Sequence, residues 1–447
     1  MLPIKTLFAP TARLAAVLLI LLLGVASTPA RAVLPIEHWT SPSGARVYFV
    51  RAPAIPMIDI AVVFDAGSRL DPSGKSGLAS LAVELLDAGV PGMDEEAIAS
   101  ALADIGAQRS ASASDDRAVV TLRSLTSEAE LSAALRVTER TLSEPAFPAA
   151  VLTRERERII QALREAQTKP ETLAQQAFSS GLYGSHPYGR YATEATVTAL
   201  QPADLTDFHR RHFSAARAVV AIIGDIDRAR AEAIAEQLTA RLPKGDPAPV
   251  LPAVVKPTGG ERRIEHPASQ SHLMIGTTGI AWGDPDQFPL LVGNYVLGGG
   301  GFVSRLYGEV REKRGLAYGV YSYFIPYLQP GPFMIGLQTQ RGQTDTALAV
   351  VRETVAGFLR DGPTEAEVLA AKSNLTGGFP LRIDSNRKIL DNLANIGFNR
   401  LPLDYLERWP DRVQAVTVAQ IRAAFARHLR ADSLVTVVVG DAAQPAR

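Results

Sequence analysis

The sequence has no cysteine among its 447 residues. This absence excludes disulfides, thiol nucleophiles, zinc sites with cysteine ligands and iron–sulfur clusters. Histidine is also scarce, because only seven side chains are left for metal binding or acid–base catalysis. They are His38, His186, His209, His212, His266, His272 and His428.

The sequence also lacks an excess of charge of either sign. Its 46 Lys and Arg residues balance 46 Asp and Glu residues, whereas nucleic-acid-binding proteins usually carry a basic excess. We therefore expect no nucleic-acid partner. Hydrophobic residues make up 47% of the chain, which is enough for a large buried core, and the length predicts more than one domain.

No apolar run is long enough to cross a membrane. The longest run covers residues 14 to 25, which is short of the roughly 20 residues that a bilayer requires. Lys5 and Arg13 precede it, and the small-residue pattern from Ala30 to Ala32 follows it. These features are typical of a signal peptide over residues 1–32, cleaved near Ala32. We expect a periplasmic or otherwise exported protein with no membrane span after cleavage; an uncleaved anchor is the alternative.

The remaining chain reads as a duplication. Residues 243–260 are rich in proline and glycine, as in an extended linker. On each side of this linker, a segment ends with a polar helix end, a buried β-branched strand and a Gly-Asp pair, which are Gly224-Asp225 and Gly440-Asp441. We therefore predict an N-terminal half over 33–242 and a C-terminal half over 261–447.

Strand and helix patterns in the first half come in unequal clusters. Residues 58–64 and 118–122 are typical of strands, whereas 78–86, 98–105, 128–142 and 150–167 have helical spacing. Asp94 is a candidate N-cap for the second of these helices, and Pro170 is expected to end the last one. The pattern favours an α+β fold, in which each homologous half is a mainly antiparallel sheet with helices on one face.

Several common catalytic motifs are missing. The sequence contains no H-E-x-x-H and no G-x-S-x-G. Lys75 and Ser76 resemble the end of a P-loop, but Arg69 stands where its first glycine belongs. His209 and His212 could share a metal, although solvated side chains are the better interpretation of an HRRH run. The tetrapeptide His186 to Gly189 predicts a structural turn with a buried ring.

Two stretches resemble the pitrilysin/insulinase family of metallopeptidases. Residues 77–85 read GLASLAVEL and resemble the helix that carries the family's zinc motif H-x-x-E-H. Residues 304–320 read SRLYGEVREKRGLAYGV and resemble its C-terminal motif S-R-L-x-x-x-L-R-x-x-x-G-L-A-Y-x-V. The resemblance covers essentially the whole mature chain. It implies two tandem halves that form a clam-like chamber.

The chain departs from the family at the zinc motif. Ser80 and Glu84 stand where the two histidine ligands belong, and Val83 replaces the glutamate base. Catalytic zinc needs three protein ligands, and the base must take a proton from the attacking water. The family's third ligand is a glutamate on a later helix, and none of Glu155, Glu157 and Glu165 can be assigned to it. We therefore expect no metal and no catalytic residue in this chain.

The C-terminal motif is intact. The resemblance implies that Arg311 and Tyr318 reach towards the scissile peptide, where both can donate hydrogen bonds to a carbonyl oxygen that becomes negative. It also implies that a mobile loop of Gly298, Gly299, Gly300 and Gly301 contacts the peptide. The alternatives are a surface ion pair for Arg311 and a half-buried strand aromatic for Tyr318.

This combination is similar to heterodimeric members such as the mitochondrial processing peptidases. There, one subunit holds H-x-x-E-H and its partner holds substrate-binding features. The leading hypothesis is a non-zinc subunit that binds a peptide substrate by β-augmentation and supplies Arg311 and Tyr318 to the zinc site of its partner. One alternative is a non-catalytic assembly subunit of an envelope complex. Another is a hydrolase with a relocated metal site that uses Glu84 and histidines elsewhere.

Overall fold

The computed structural model describes residues 35–247 and 250–440. The predicted signal peptide, its cleavage site near Ala32, and Asp441 lie outside these residues. Within them, no helix is both long enough and apolar enough to cross a membrane. The chain from Ile36 onward forms one compact unit.

The first half builds a six-stranded sheet with the order β1-β2-β8-β3-β7-β6, and β4 and β5 form a separate hairpin. Only β2 and β8 run parallel; the other neighbours in the sheet are antiparallel. The strands are β1 (Glu37–Thr40), β2 (Arg46–Arg51), β3 (Met57–Phe64), β4 (Gly89–Val90), β5 (Met93–Asp94), β6 (Gln108–Ala113), β7 (Ala118–Leu125) and β8 (Ala218–Gly224).

Eight helices accompany this sheet in the described part of the first half. They are α1 (Leu78–Glu84), α2 (Glu95–Ala103), α3 (Glu128–Ser143), α4 (Ala149–Ala166), α5 (Pro170–Tyr183), α6 (Glu194–Thr198), α7 (Pro202–His212) and α8 (Arg228–Thr239). Asp94 caps α2 as predicted, since its carboxylate accepts the Ala97 N–H at 2.9 Å. Pro170 does not end α4. It opens α5, where its missing N–H costs no helical hydrogen bond.

The second half builds a five-stranded sheet with the order β11-β12-β10-β13-β9. Its strands are β9 (Gly260–Glu265), β10 (Gln270–Thr278), β11 (Ala317–Phe324), β12 (Pro332–Gln340) and β13 (Val435–Gly440). Two of its helices continue as π-helices, α9 (Gln287–Asn294) through Tyr295–Gly299 and α10 (Arg305–Tyr307) through Gly308–Glu312. The others are α11 (Thr344–Asp361), α12 (Glu365–Gly377), α13 (Asn386–Phe398), α14 (Tyr405–Ala415) and α15 (Val418–His428).

The two sheets share one topology. The order β2-β8-β3-β7-β6 in the first half corresponds to β9-β13-β10-β12-β11 in the second, and the parallel pair occupies the same place in both. The central strands β8 and β13 are buried along their whole length, which explains their unbroken aliphatic runs. The predicted α+β fold of two homologous, mainly antiparallel halves is confirmed.

Each half lends one helix to the sheet of the other. Helix α5 of the first half packs on β10 and β13, where Phe178 shares a buried cluster with Met274 and Val437. Helix α13 of the second half packs on β8 and β3, and Gly397 lies against Val219 and Tyr48. The central strands of each sheet are therefore covered on both faces. The sequence predicted helices on one face of each sheet. It did not predict the helix that the other half contributes to the second face.

Loops around the HPYG turn tie the two halves together. The carboxylate of Asp116 accepts the hydroxyl of Tyr188 at 2.6 Å and the N–H of Leu328 in the second half at 2.8 Å. His186 is buried, and its Nε2 lies 3.0 Å from the carbonyl oxygen of Pro252 in the linker. The predicted structural turn with a buried ring is confirmed.

His209 does not behave as predicted. Instead of being solvated, it is buried, with Nε2 2.8 Å from the carbonyl oxygen of Leu142 and its ring stacked on Phe213 at 5.0 Å. Burial lowers its pKa. The cause is the amphipathic face of α7, which places His209 beside Phe208 on the core side while Arg210 and Arg211 stay exposed.

Candidate functional site

The degenerate zinc motif lies on α1, which is held firmly at its start. Gly77 precedes the helix with φ +102, and the Asp71 carboxylate accepts the N–H groups of Gly77 and Ala79 at 2.7 and 2.8 Å. Ser80 is exposed and Val83 is only 1% exposed. The residue at the place of the family's base is therefore a core side chain.

An arginine side chain neutralises Glu84, the last position of the motif. Glu84 forms an ion pair with Arg158, and Arg158 also donates to Glu155 at 2.5 Å. Arg154 binds the same Glu155 at 2.9 Å. These residues do not fit a zinc ion, because Val83 offers no ligand atom and both carboxylates are already compensated by arginines. Glu155, one of the three predicted ligand candidates, is among them.

One other cluster of possible metal ligands occurs in the described residues, and Glu84 is not part of it. Its members are Asp284, Asp286 and His428. The Asp286 carboxylate accepts two hydrogen bonds from Arg427, at 2.5 and 2.8 Å, and Arg427 lowers its pKa. Because the Arg427 guanidinium already neutralises the charge of this carboxylate, we interpret the cluster as an ion pair. It gives no support to a relocated metal site built on Glu84.

Arg311 and Tyr318 form a pair on the surface of the second half. Arg311 lies in the π-helix Gly308–Glu312. The helical segment ends at Gly315 (φ +61), whose N–H donates to the Arg311 carbonyl at 2.8 Å. The guanidinium donates to the backbone oxygen of Tyr318. Its central carbon lies 4.4 Å from the Tyr318 ring centroid and 5.4 Å from that of Tyr307. These contacts are a cation–π sandwich that holds the guanidinium in place.

The pair is accessible. Tyr318 is 87% exposed, and Arg311 has no carboxylate partner in the described part of the chain. Regular strand alternation would place Tyr318 on one face with Val320 and Ser322, but those two side chains are buried. The strand shifts register between Ala317 and Val320, and this irregularity turns Tyr318 to the opposite side.

The predicted glycine loop is helical at its start. Gly298 is a buried residue of the π-helix Tyr295–Gly299, and a Cβ on it would lie 2.5 Å from Ser322 Oγ. Asn294 donates to the Ser322 carbonyl at 2.8 Å, so this segment covers the edge of β11. Gly298 is therefore a packing residue, whereas Gly299 and Gly301 are exposed beside Phe302 and Val303.

A groove adjoins Tyr318 on the sheet face covered by α5. Its volume is about 320 Å³. Its lining includes Tyr318 and Tyr321 of β11, His272 of β10, and Glu171 and Gln175 of α5. The sequence analysis missed Glu171 and Gln175, because only the exchange of α5 between halves brings them to this sheet. No local pattern signals that exchange.

The outer strand β6 presents a free edge. In the described chain it pairs with β7 alone. The Arg109 side chain points inward, is buried, and forms an ion pair with the partly exposed Asp87. Small polar side chains alternate on the other side, where Ser110 bonds to Thr121 at 2.7 Å. This edge could accept one further strand.

The chain matches two models of one peptidase family. Residues 46–195 match the one described as "Insulinase (Peptidase family M16)". Residues 199–375 match the one described as "Peptidase M16 inactive domain". Together the two matched ranges cover most of both halves.

Solved structures and curated relatives agree with these matches. A peptidase M16 inactive domain from Pseudomonas fluorescens is 38% identical, with a TM-score of 0.88, over 92% of this chain and 98% of its own. An uncharacterized zinc protease of Mycobacterium leprae is 29% identical over 86% of this chain and 87% of its own. The periplasmic protease PqqL of Escherichia coli has the same fold, with 16% identity and a TM-score of 0.78, over 91% of this chain and 45% of its own.

Proposed function

Because the chain belongs to the insulinase (M16) family of peptidases, we propose that it is the non-zinc subunit of a heterodimeric zinc metalloendopeptidase. It binds an extended peptide and supplies Arg311 and Tyr318 to the zinc site of a partner subunit that carries H-x-x-E-H. Zinc belongs to the partner in this proposal. The chain itself binds no cofactor. Its proposed halves are 33–242 and 261–447, joined by the linker 243–260.

The combination of two sites in one chain carries the proposal. At the degenerate motif, Val83 is buried and Glu84 is paired with Arg158, so this half has no means to activate water. At the other site, Tyr318 is exposed, and the half-buried Arg311 lies over its ring with no carboxylate partner among the described residues. A fixed guanidinium and a phenol are suited to stabilise the oxyanion that develops on the peptide substrate at the zinc site of the partner.

The free edge of β6 supports binding of the peptide as an added strand. A peptide there pairs its backbone with β6, independent of its side chains. The edge of β11 is a weaker candidate, because Asn294 and Gly298 cover it at Ser322.

Export to the periplasm is part of the proposal. It rests on the signal-peptide pattern of residues 1–32, and the similar fold of PqqL, a periplasmic protease, supports it. The second candidate function is a non-catalytic assembly subunit of an envelope complex. The experiment below distinguishes the two.

The test is co-expression of the chain with an exported H-x-x-E-H relative from the same cell, followed by a peptide hydrolysis assay. We expect hydrolysis only when both chains are present. The zinc should co-purify with the partner, and a chelator should remove both the zinc and the activity. Arg311→Ala and Tyr318→Phe should each lower kcat about 100- to 1,000-fold, the range found when one oxyanion donor is removed. Hydrolysis should stay unchanged in the controls Arg314→Ala, on the same turn, and Tyr191→Phe, an exposed tyrosine of the first half.

Equal activity of the Arg311→Ala and Tyr318→Phe complexes would remove the proposed role of this pair. Failure of every H-x-x-E-H relative to hydrolyse peptide with this chain, together with co-purification of the chain in an envelope complex, would favour the assembly function.

A further inference from the structure

An aromatic cavity lies in the second half, apart from the Arg311 and Tyr318 pair. Its volume is about 270 Å³. Two of the three tryptophans of the chain, Trp282 and Trp409, line it together with Phe379 and Tyr405. The Phe379 and Trp409 rings are stacked at 4.9 Å. This volume is below the roughly 300–1,000 Å³ of pockets for drug-sized ligands, so it suits a single amino-acid side chain.

One charged group stands at this cavity. Arg382 is its only charged lining residue, and its guanidinium carbon lies 5.3 Å from the Trp409 ring centroid. In the described residues Arg382 has no carboxylate partner. This cation–π contact places the exposed guanidinium beside the aromatic lining, where its N–H groups can donate to a carboxylate. The amides of Asn392 and Asn395 also line the cavity and are neutral.

The cavity continues towards the glycine segment. A second cavity of about 290 Å³ reaches Gly299 and Tyr295 and shares with the first the residues Leu291, Asn294, Tyr323 and Arg382. The two therefore adjoin as one cleft, in which Arg382 lines both cavities while Trp282 and Trp409 line only the first.

We propose that this cleft binds the C-terminal residue of a peptide, with its free carboxylate on Arg382 and an aromatic side chain between Trp282 and Trp409. Complementary charge and the match of an apolar cavity to an aromatic ring carry this assignment. A side-chain carboxylate would not combine an aromatic ring and a negative charge on one residue, whereas a C-terminal Phe does. The inference rests on the proposed function in that the ligand is a peptide, and it names the class of peptide.

The test is a titration of the purified chain, without a partner, followed by tryptophan fluorescence excited at a wavelength that phenylalanine does not absorb. The probes are acetyl-Gly-Phe with a free carboxylate, its C-terminal amide, and acetyl-Gly-Ala with a free carboxylate. We expect the Phe acid to change the fluorescence and to bind at least tenfold more tightly than the amide or the Ala acid. In Arg382→Gln, the acid and the amide should bind equally.

The matched control is Arg408→Gln on α14, next to Trp409, since Arg408 is exposed and pairs with Asp404. It should keep the tenfold preference. Equal binding of acid and amide by the unmodified chain, or absence of binding, would overturn the inference, as would an unchanged preference in Arg382→Gln. Hydrolysis with a zinc partner is measured separately. Absence of hydrolysis together with a retained preference for the Phe acid would contradict only the proposed function. Hydrolysis without that preference would contradict only this inference.

Discussion

Asp71 is a buried acid with a structural task at the start of α1. Its carboxylate accepts two backbone N–H groups there. Burial raises its pKa to about 6, because loss of hydration outweighs those hydrogen bonds and the nearby Arg190. A pKa raised from 3.8 makes ionisation cost about 3 kcal/mol more in the folded chain. The favourable contribution of Asp71 is therefore complete below about pH 4 and is lost as the pH rises through 6.

Asp71→Asn should remove this pH dependence. The free energy of unfolding of the unmodified chain, minus that of the variant, should increase as the pH falls from 6 to 4. Urea unfolding at several pH values measures it. The difference is needed because burial lowers the pKa of His212 to about 4, which opposes Asp71 in the same range. Asp207→Asn, at an exposed carboxylate, is the control. A difference that does not vary with pH would contradict the assignment.

Residue types were the most informative part of the sequence for the site. Ser80, Val83 and Glu84 alone predict the loss of the family's zinc chemistry, because ligand and base chemistry depends on the identity of a side chain. The Glu84–Arg158 pair could not be predicted, since it joins two helices. The contact between Arg311 and the Tyr318 ring also could not be predicted. It depends on the register shift in β11, and the sequence pattern of the strand does not indicate this shift.

At the scale of elements, Gly298 is the most constrained position of the glycine segment. Gly298→Ala would place a Cβ 2.5 Å from Ser322 Oγ and 2.7 Å from Leu306 Cδ1. We expect a loss of about 1–3 kcal/mol in the free energy of unfolding, as for other overpacked cores. Gly319→Ala in β11 meets no atom within 4 Å and should stay within about 0.5 kcal/mol. Urea unfolding compares the two, and equal values would show that this segment is a loose loop.

Helices and strands of the first half follow local patterns, and the sequence predicted them closely. The strands observed at Met57–Phe64 and Ala118–Leu125 and the helix Glu128–Ser143 match the predicted 58–64, 118–122 and 128–142 to within a few residues. The π-helix Tyr295–Gly299 was predicted as a loop, because consecutive glycines usually disfavour helix. Gly298 in this helix packs closely against Leu306 and against Ser322 of β11, and local propensity does not register the second of these contacts.

At the scale of the molecule, the repeated chain ends predicted the duplication but not the exchange of helices. The apolar face of α5 shows that the helix covers a sheet, and it does not show which one. The groove beside Tyr318 depends on this choice, since Glu171 and Gln175 reach it only from the exchanged α5. Both this groove and the coupling of the halves therefore follow from one long-range packing event.

The exchange should make the two halves unfold together. Phe178 on α5 is 1% exposed and packs against the sheet of the second half, so Phe178→Ala removes a core contact between halves and should cost about 3–5 kcal/mol. Calorimetry should show a single transition in the unmodified chain and a single transition at lower temperature in the variant. Phe302→Ala, at a ring that is 75% exposed, is the matched control and should leave the transition in place. Two transitions, with only the second moved by Phe178→Ala, would show that each half folds alone despite the exchanged helices.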